Sequence, residues 1–148
     1  MGEQSWELVY HENILMCLDG SSYSEAAFTQ AVSLAKACGS KLFLITVVDI
    51  KQEYVAYVPQ LEDELERSAA ENLEKAKKRA AEQGIDATVI LSKEQKPYKA
   101  IVDAAKKHDV SLIVMGTHGR TGLTRLVMGS VAQGVVARAP CAVLVVPA

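Results

Sequence analysis

The residues best suited to chemistry lie in one glycine-punctuated segment, Gly116-Thr117-His118-Gly119-Arg120-Thr121-Gly122, followed by residues 123–128 and then Gly129-Ser130. Glycines let a backbone pass close to a phosphate and adopt positive φ. Gly129-Ser130 stand where a helix is expected to begin. Unpaired N–H groups and the helix dipole make such a start attractive to an anion. Ser130 adds a hydroxyl donor, and Arg120 and Arg125 are either phosphate neighbours or solvated charges. The spacing is not Gly-x-x-x-x-Gly-Lys-Ser/Thr, and no Gly-x-Gly-x-x-Gly follows a strand. On its glycines alone the segment reads equally well as a phosphate loop or a surface loop.

Other reactive residues are scattered. Asp19 follows an apolar run and is either turn chemistry or a ligand contact. His118 reads as an exposed or phosphate-adjacent side chain rather than a catalytic base, and His11 and His108 read as surface residues. Ser130 suits both a helix cap and a phosphate contact. No Gly-x-Ser-x-Gly elbow is present and no nucleophilic triad assembles, so no catalytic residue is assigned. The cysteines, Cys17, Cys38 and Cys141, lack metal-ligand spacing and sit in apolar stretches. They read as buried free thiols of a reducing compartment, the cytoplasm by default.

The elements that must position these residues alternate. Asn13 to Leu18 is a continuous apolar run broken at Asp19-Gly20, the pattern of a strand covered on both faces. Ser22 and Glu25 have capping-box spacing before a helix whose stripe is Ala27, Ala31, Leu34, Ala35 and Cys38, with Gly39 as its stop. Lys41 to Val48 is a second strand. After an irregular stretch from Asp49 to Pro59, a helix runs from about Gln60 to Gln83 with Leu61, Leu65, Ala69, Leu73, Ala76 and Ala80 as its buried stripe. Ala87 to Leu91 is a third strand, Pro97 opens a helix to about Lys107, and Val110 to Met115 is a fourth strand. Ser130 to Arg138 is a short helix, and Cys141 to Val146 a fifth strand. Alternating strands and helices point to a parallel sheet with helices on both faces.

Length and composition exclude several classes. A chain of 148 residues suits one domain with one sizeable core. An apolar fraction of 49% argues against disorder, and a net charge of −2 with 5% aromatics gives neither a basic stripe nor a stacking platform for nucleic acid. No apolar run approaches the ~20 residues of a membrane span. Met1 to Tyr10 has no cationic segment followed by an apolar core, so no secretory signal is expected; it reads as an appendage in which Trp6, Leu8 and Tyr10 alternate with polar residues.

Gly116-x-x-Gly119, nine residues, then Gly129-Ser130 resembles the nucleotide-binding signature of the universal stress protein family. The resemblance extends over nearly the whole chain: Asn13-Ile-Leu-Met-Cys-Leu-Asp19-Gly-Ser21 is similar to the family's first strand and acidic turn, and Thr46-Val47-Val48-Asp49 to the end of its second. Val110 to Gly116 and Ala139 to Pro147 resemble its fourth and fifth strands. The resemblance implies an open, Rossmann-like five-stranded parallel sheet in the order 3-2-1-4-5, and ATP as ligand. Asp19 would face the ribose and phosphates, Val47 would hold the adenine through its backbone, and Met115 would pack near base and ribose. Gly116, Gly119, Gly129, Ser130 and the amide of Val131 would hold ribose and phosphates, with Mg²⁺ carried along by the phosphates rather than held in a protein-built cage. It also implies a homodimer through Cys141 to Val146, an apolar strand at one sheet edge. The expected role is regulatory, with slow or no ATP turnover; the alternative is an ATP hydrolase or phosphotransferase using the same loop. Residues 1–10 have no counterpart in the family pattern, and Asp49 to Pro59 lies where the family varies.

Overall fold

The computed structural model describes residues 10–49, 57–117 and 128–147. In chain order its elements are β1 (Asn13–Cys17), α1 (Ser22–Cys38), β2 (Lys41–Val48), α2 (Leu61–Glu82), β3 (Ala87–Lys93), α3 (Pro97–Lys107), β4 (Leu112–Gly116), α4 (Ser130–Arg138) and β5 (Ala142–Val146). Every strand pairing is parallel, and the order is β3-β2-β1-β4-β5, as expected from the resemblance.

The strands are apolar on both faces because helices cover both. Ile14 and Met16 of β1 enter a core with Leu42, Leu44 and Val114 that α1 and α2 complete through residues such as Ala31 and Leu73. Leu15 enters a second core with Ile45, Ile113 and Met115, completed by Ile101 of α3 and Val135 of α4. Burying each such side chain contributes about 1.5–3 kcal/mol. Successive residues of β1 therefore feed different cores, which fixes its register.

Local signals explain most boundaries. Gly39 caps α1 in the left-handed region at φ 66°, where a β-carbon is disfavoured. Pro97 occupies the first turn of α3, where the missing N–H is harmless. The expected capping box at Ser22 is corrected by one residue. Ser21, in extended backbone, is the cap and its side chain accepts the N–H of Ser24. Glu25 instead pairs with Arg79 of α2 at 2.9 Å, and the same guanidinium lies over the Phe28 ring. His11 and His108, read as surface residues, are half-buried at the amino ends of the strands. His11 Nδ1 is 2.9 Å from Ser111 Oγ, and the His108 ring lies 4.7 Å from that of Phe43. Cys17, Cys38 and Cys141 are free thiols on half-buried residues; the Cys17 sulfur itself is enclosed.

Candidate functional site

A cleft of about 430 Å³ opens beyond the carboxyl ends of β1, β2 and β4. From β1 the chain continues outward to β2 and β3, whereas β4 and β5 extend the sheet on the other side. The gap between β1 and β4 is thus the topological switch point, where ligands bind in open α/β sheets.

The turn after β1 is rigidly held. Leu18 N–H donates to the Ile45 carbonyl at 2.8 Å, and the Thr46 hydroxyl donates to the Leu18 carbonyl at 2.9 Å. Beyond it, three hydrogen bonds close a ring: Asp19 N–H donates to Ser24 Oγ (3.2 Å), Ser24 N–H to Ser21 Oγ (3.2 Å), and Ser21 N–H to Asp19 Oδ1 (2.9 Å). Asp19 lines the cleft, and so does Cys17 beneath it. Burial and, secondarily, the Asp19 charge push the Cys17 thiol up to about 12, so it stays protonated.

On the other side of the switch point, Met115 and Gly116 end β4 in register with Val145 and Val146. Thr117 N–H donates to the Val146 carbonyl at 3.2 Å, and Gly129 N–H donates to the Thr117 carbonyl at 2.7 Å. Gly129 then caps α4 with no side-chain hydrogen bond, so the Ser130 hydroxyl does not serve as the cap. The Gln133 side chain donates to the Met128 carbonyl, bracing the entry to α4. Gly129 adopts φ −61°, ψ 158°, which any residue can adopt. The expectation of positive φ in the loop is therefore not met at this glycine.

The cleft's far wall comes from α2, through Leu65, Ser68 and Ala69, and from Pro97 and Ile101 of α3. Lys93 at the end of β3 holds the first turns of α2 by ion pairs to Glu62 (3.3 Å) and Glu66, and these carboxylates, Glu66 foremost, raise its pKa. Leu65 is less buried than Leu73 because it faces the cleft rather than the core.

Of the residues singled out in the sequence, Asp19, Val47, Met115, Gly116, Gly129, Ser130 and Val131 all line this one cleft. Gly119, with His118, Arg120 and Arg125, lies outside the described residues, as do residues 1–9 and 50–56. Sequence reasoning missed Ser24, Thr46 and the α2 wall; the Asp-x-Ser-x-x-Ser spacing from Asp19 to Ser24 was the available signal for the first. Among the described lining residues only Asp19 and Asp49 carry charge. Among the described residues no group of three His, Cys, Asp or Glu side chains could hold a metal ion, and no helix is long and apolar enough to cross a membrane.

The fold and cleft define a doubly wound α/β protein with a cleft at its switch point. The model of the universal stress protein family matches residues 11–147. Universal stress protein MJ0531 of Methanocaldococcus jannaschii is 36% identical over 141 residues, covering 92% of this chain and 82% of the relative. The solved universal stress protein UspA from Lactobacillus plantarum superposes with a TM-score of 0.83 at 29% identity, covering 94% of this chain and 99% of that one. The chain belongs to the universal stress protein family. Two solved relatives share its fold at lower identity. One is a universal stress protein in complex with cAMP (24% identical, TM-score 0.67, covering 93% and 98%). The other, from Archaeoglobus fulgidus, is in complex with dAMP (21%, TM-score 0.64, covering 94% and 99%).

Proposed function

We propose that this protein is an ATP-binding universal stress protein of the cytoplasm, in which ATP stabilises a regulatory conformation and is turned over slowly or not at all. The observation that carries this reading is the convergence of Asp19, Val47, Met115, Gly116, Gly129, Ser130 and Val131 on one switch-point cleft. The apolar wall of α2 and α3 suits a flat base beside Val47. The uncapped start of α4 suits phosphate oxygens, since its first-turn N–H groups need acceptors. Two family relatives hold adenine nucleotides, cAMP and dAMP, on the same fold.

Phosphates in this cleft meet the carboxylates of Asp19 and Asp49, so charge must be offset. Hard carboxylate oxygens fit Mg²⁺, which commonly binds one or two carboxylates together with substrate phosphates. Such an ion, carried in by the phosphates, would have Asp49 as its carboxylate partner and would supply neutralisation of phosphate charge. The protein would pair with a second copy through β5, whose outer edge has no strand partner among the described residues.

The test is mass spectrometry of ligand released from purified protein, followed by titration calorimetry with Mg·ATP and an ATP time course. Bound, unhydrolysed ATP is the expected result. Absence of ATP binding overturns the nucleotide assignment. Turnover near the ~10 per second typical of enzymes, retained on repurification, would replace it with the hydrolase reading.

A further inference from the structure

Ser24 is 4% exposed and is the buried polar side chain of the described core. It lies in the first turn of α1 yet is not the cap; Ser21 is. A buried hydroxyl is costly to desolvate and needs a partner. Its partner here is the main-chain N–H of Asp19, which sits at the cleft, and Ser24 lines the cleft as well.

The ring of Asp19, Ser21 and Ser24 has a directional consequence. Ser24 fixes the Asp19 backbone, Ser21 fixes Asp19 Oδ1, and Ser24 N–H fixes Ser21 Oγ. The φ, ψ and χ1 torsions of the aspartate are constrained by these contacts. An ionised carboxylate only accepts hydrogen bonds. It therefore favours ligand hydroxyls and repels phosphate oxygens unless a cation intervenes. Orientation decides how well it discriminates, because a hydrogen bond weakens steeply away from its preferred angle.

We propose that Ser24 is a positioning residue for ligand discrimination: through the three-residue ring it aims the Asp19 carboxylate at the vicinal hydroxyls of a ribose, so that the cleft selects ribonucleotides over ligands lacking those hydroxyls. This rests on the nucleotide reading above. Ser24 does not itself have to touch the ligand.

The test is calorimetry of Mg·ATP and Mg·2′,3′-dideoxy-ATP with the wild type, Ser24→Ala, Asp19→Asn and the double variant. Alanine is smaller than serine and a good helix former, so the fold should hold; amide exchange of α1 and β1 checks it. The wild type is expected to favour ATP by about tenfold or more, the range of one charge-assisted hydrogen bond. Ser24→Ala should lose most of that preference while keeping dideoxy-ATP affinity, and the double variant should discriminate no worse than Asp19→Asn. The Asp19 amide should exchange faster in Ser24→Ala. Wild-type discrimination in Ser24→Ala, or equal weakening towards both ligands, overturns the proposal while the nucleotide reading stands. No ATP binding by the wild type removes both.

Discussion

The carbonyl of Thr117 accepts the N–H of Gly129 at 2.7 Å, so the chain leaving β4 and the chain entering α4 are tied together at the rim of the cleft. Gly129 is buried there in a conformation open to any residue. A side chain at position 129 would therefore not strain φ, and the residue lines the cleft. Gly129→Val should keep its fold, by circular dichroism and thermal midpoint within a few degrees, while weakening Mg·ATP binding at least tenfold in calorimetry. Gly116→Val should behave similarly. Wild-type affinity in both variants would remove the phosphate assignment from this rim.

Packing beneath the rim is tight between α3 and α4. A β-carbon at Gly134 would sit 2.7 Å from Tyr98 Cγ and 2.8 Å from Tyr98 Cβ, the stiff base of that side chain. The Arg138 guanidinium covers the same ring at 4.6 Å. Relief requires α4 to move, and overpacking of this kind costs about 1–3 kcal/mol. Gly134→Ala should lower the urea midpoint with an unchanged m value. An unchanged midpoint would show that the helices separate freely.

Alkaline stability should depend on Cys17. Its thiol rises from 9.0 to about 12 in the folded chain. Between those values the unfolded chain carries a thiolate and the folded chain a thiol. The contribution is thus whole below pH 9 and falls as pH rises towards 12, by about 1.4 kcal/mol at pH 10. Denaturation from pH 7 to 10 should show this slope, and Cys17→Ala should flatten it. Rapid alkylation of native Cys17 at pH 8, mapped by mass spectrometry, would contradict the protonated thiol.

The β5 edge gives a test of assembly. Ala142–Val146 is uncharged and half-exposed along most of its length, a surface that soluble proteins normally cover. Light scattering at tens of micromolar should give a dimer mass, and Val143→Lys should shift it towards the monomer. A monomeric wild type would exclude this pairing.

Much of this arrangement was legible in the residues. The unbroken apolar runs announced strands covered twice, Gly39 and Pro97 marked helix ends through φ and a missing N–H, and the stripe from Ala69 to Ala80 is the buried face of α2. Strand order was not readable from periodicity; it came with the resemblance, because alternation alone leaves the crossover order open. The cap at Ser21 was missed because adjacent serines offer the same oxygen, and only the extended backbone at Ser21 decides between them. Thr46 and Ser24 entered the site through tertiary hydrogen bonds, which sequence spacing within a single element does not report. Leu65 was read as core because a leucine facing a ligand cleft and one facing a sheet keep the same helical period.

The first described strand, β1, stands at the centre of the sheet, with Ile14 beside Leu42 on one side and Leu112 on the other. At roughly 5–20 residues per second, β2 is complete within a few seconds of β1, whereas β4 is complete only about 5–20 seconds after β1. For that interval a strand whose middle residues, Ile14, Leu15 and Met16, are fully buried in the finished fold presents an open hydrogen-bonding edge to the cell. The nascent chain is then most vulnerable to mispairing, and translation pauses between β1 and β4 would lengthen the exposure.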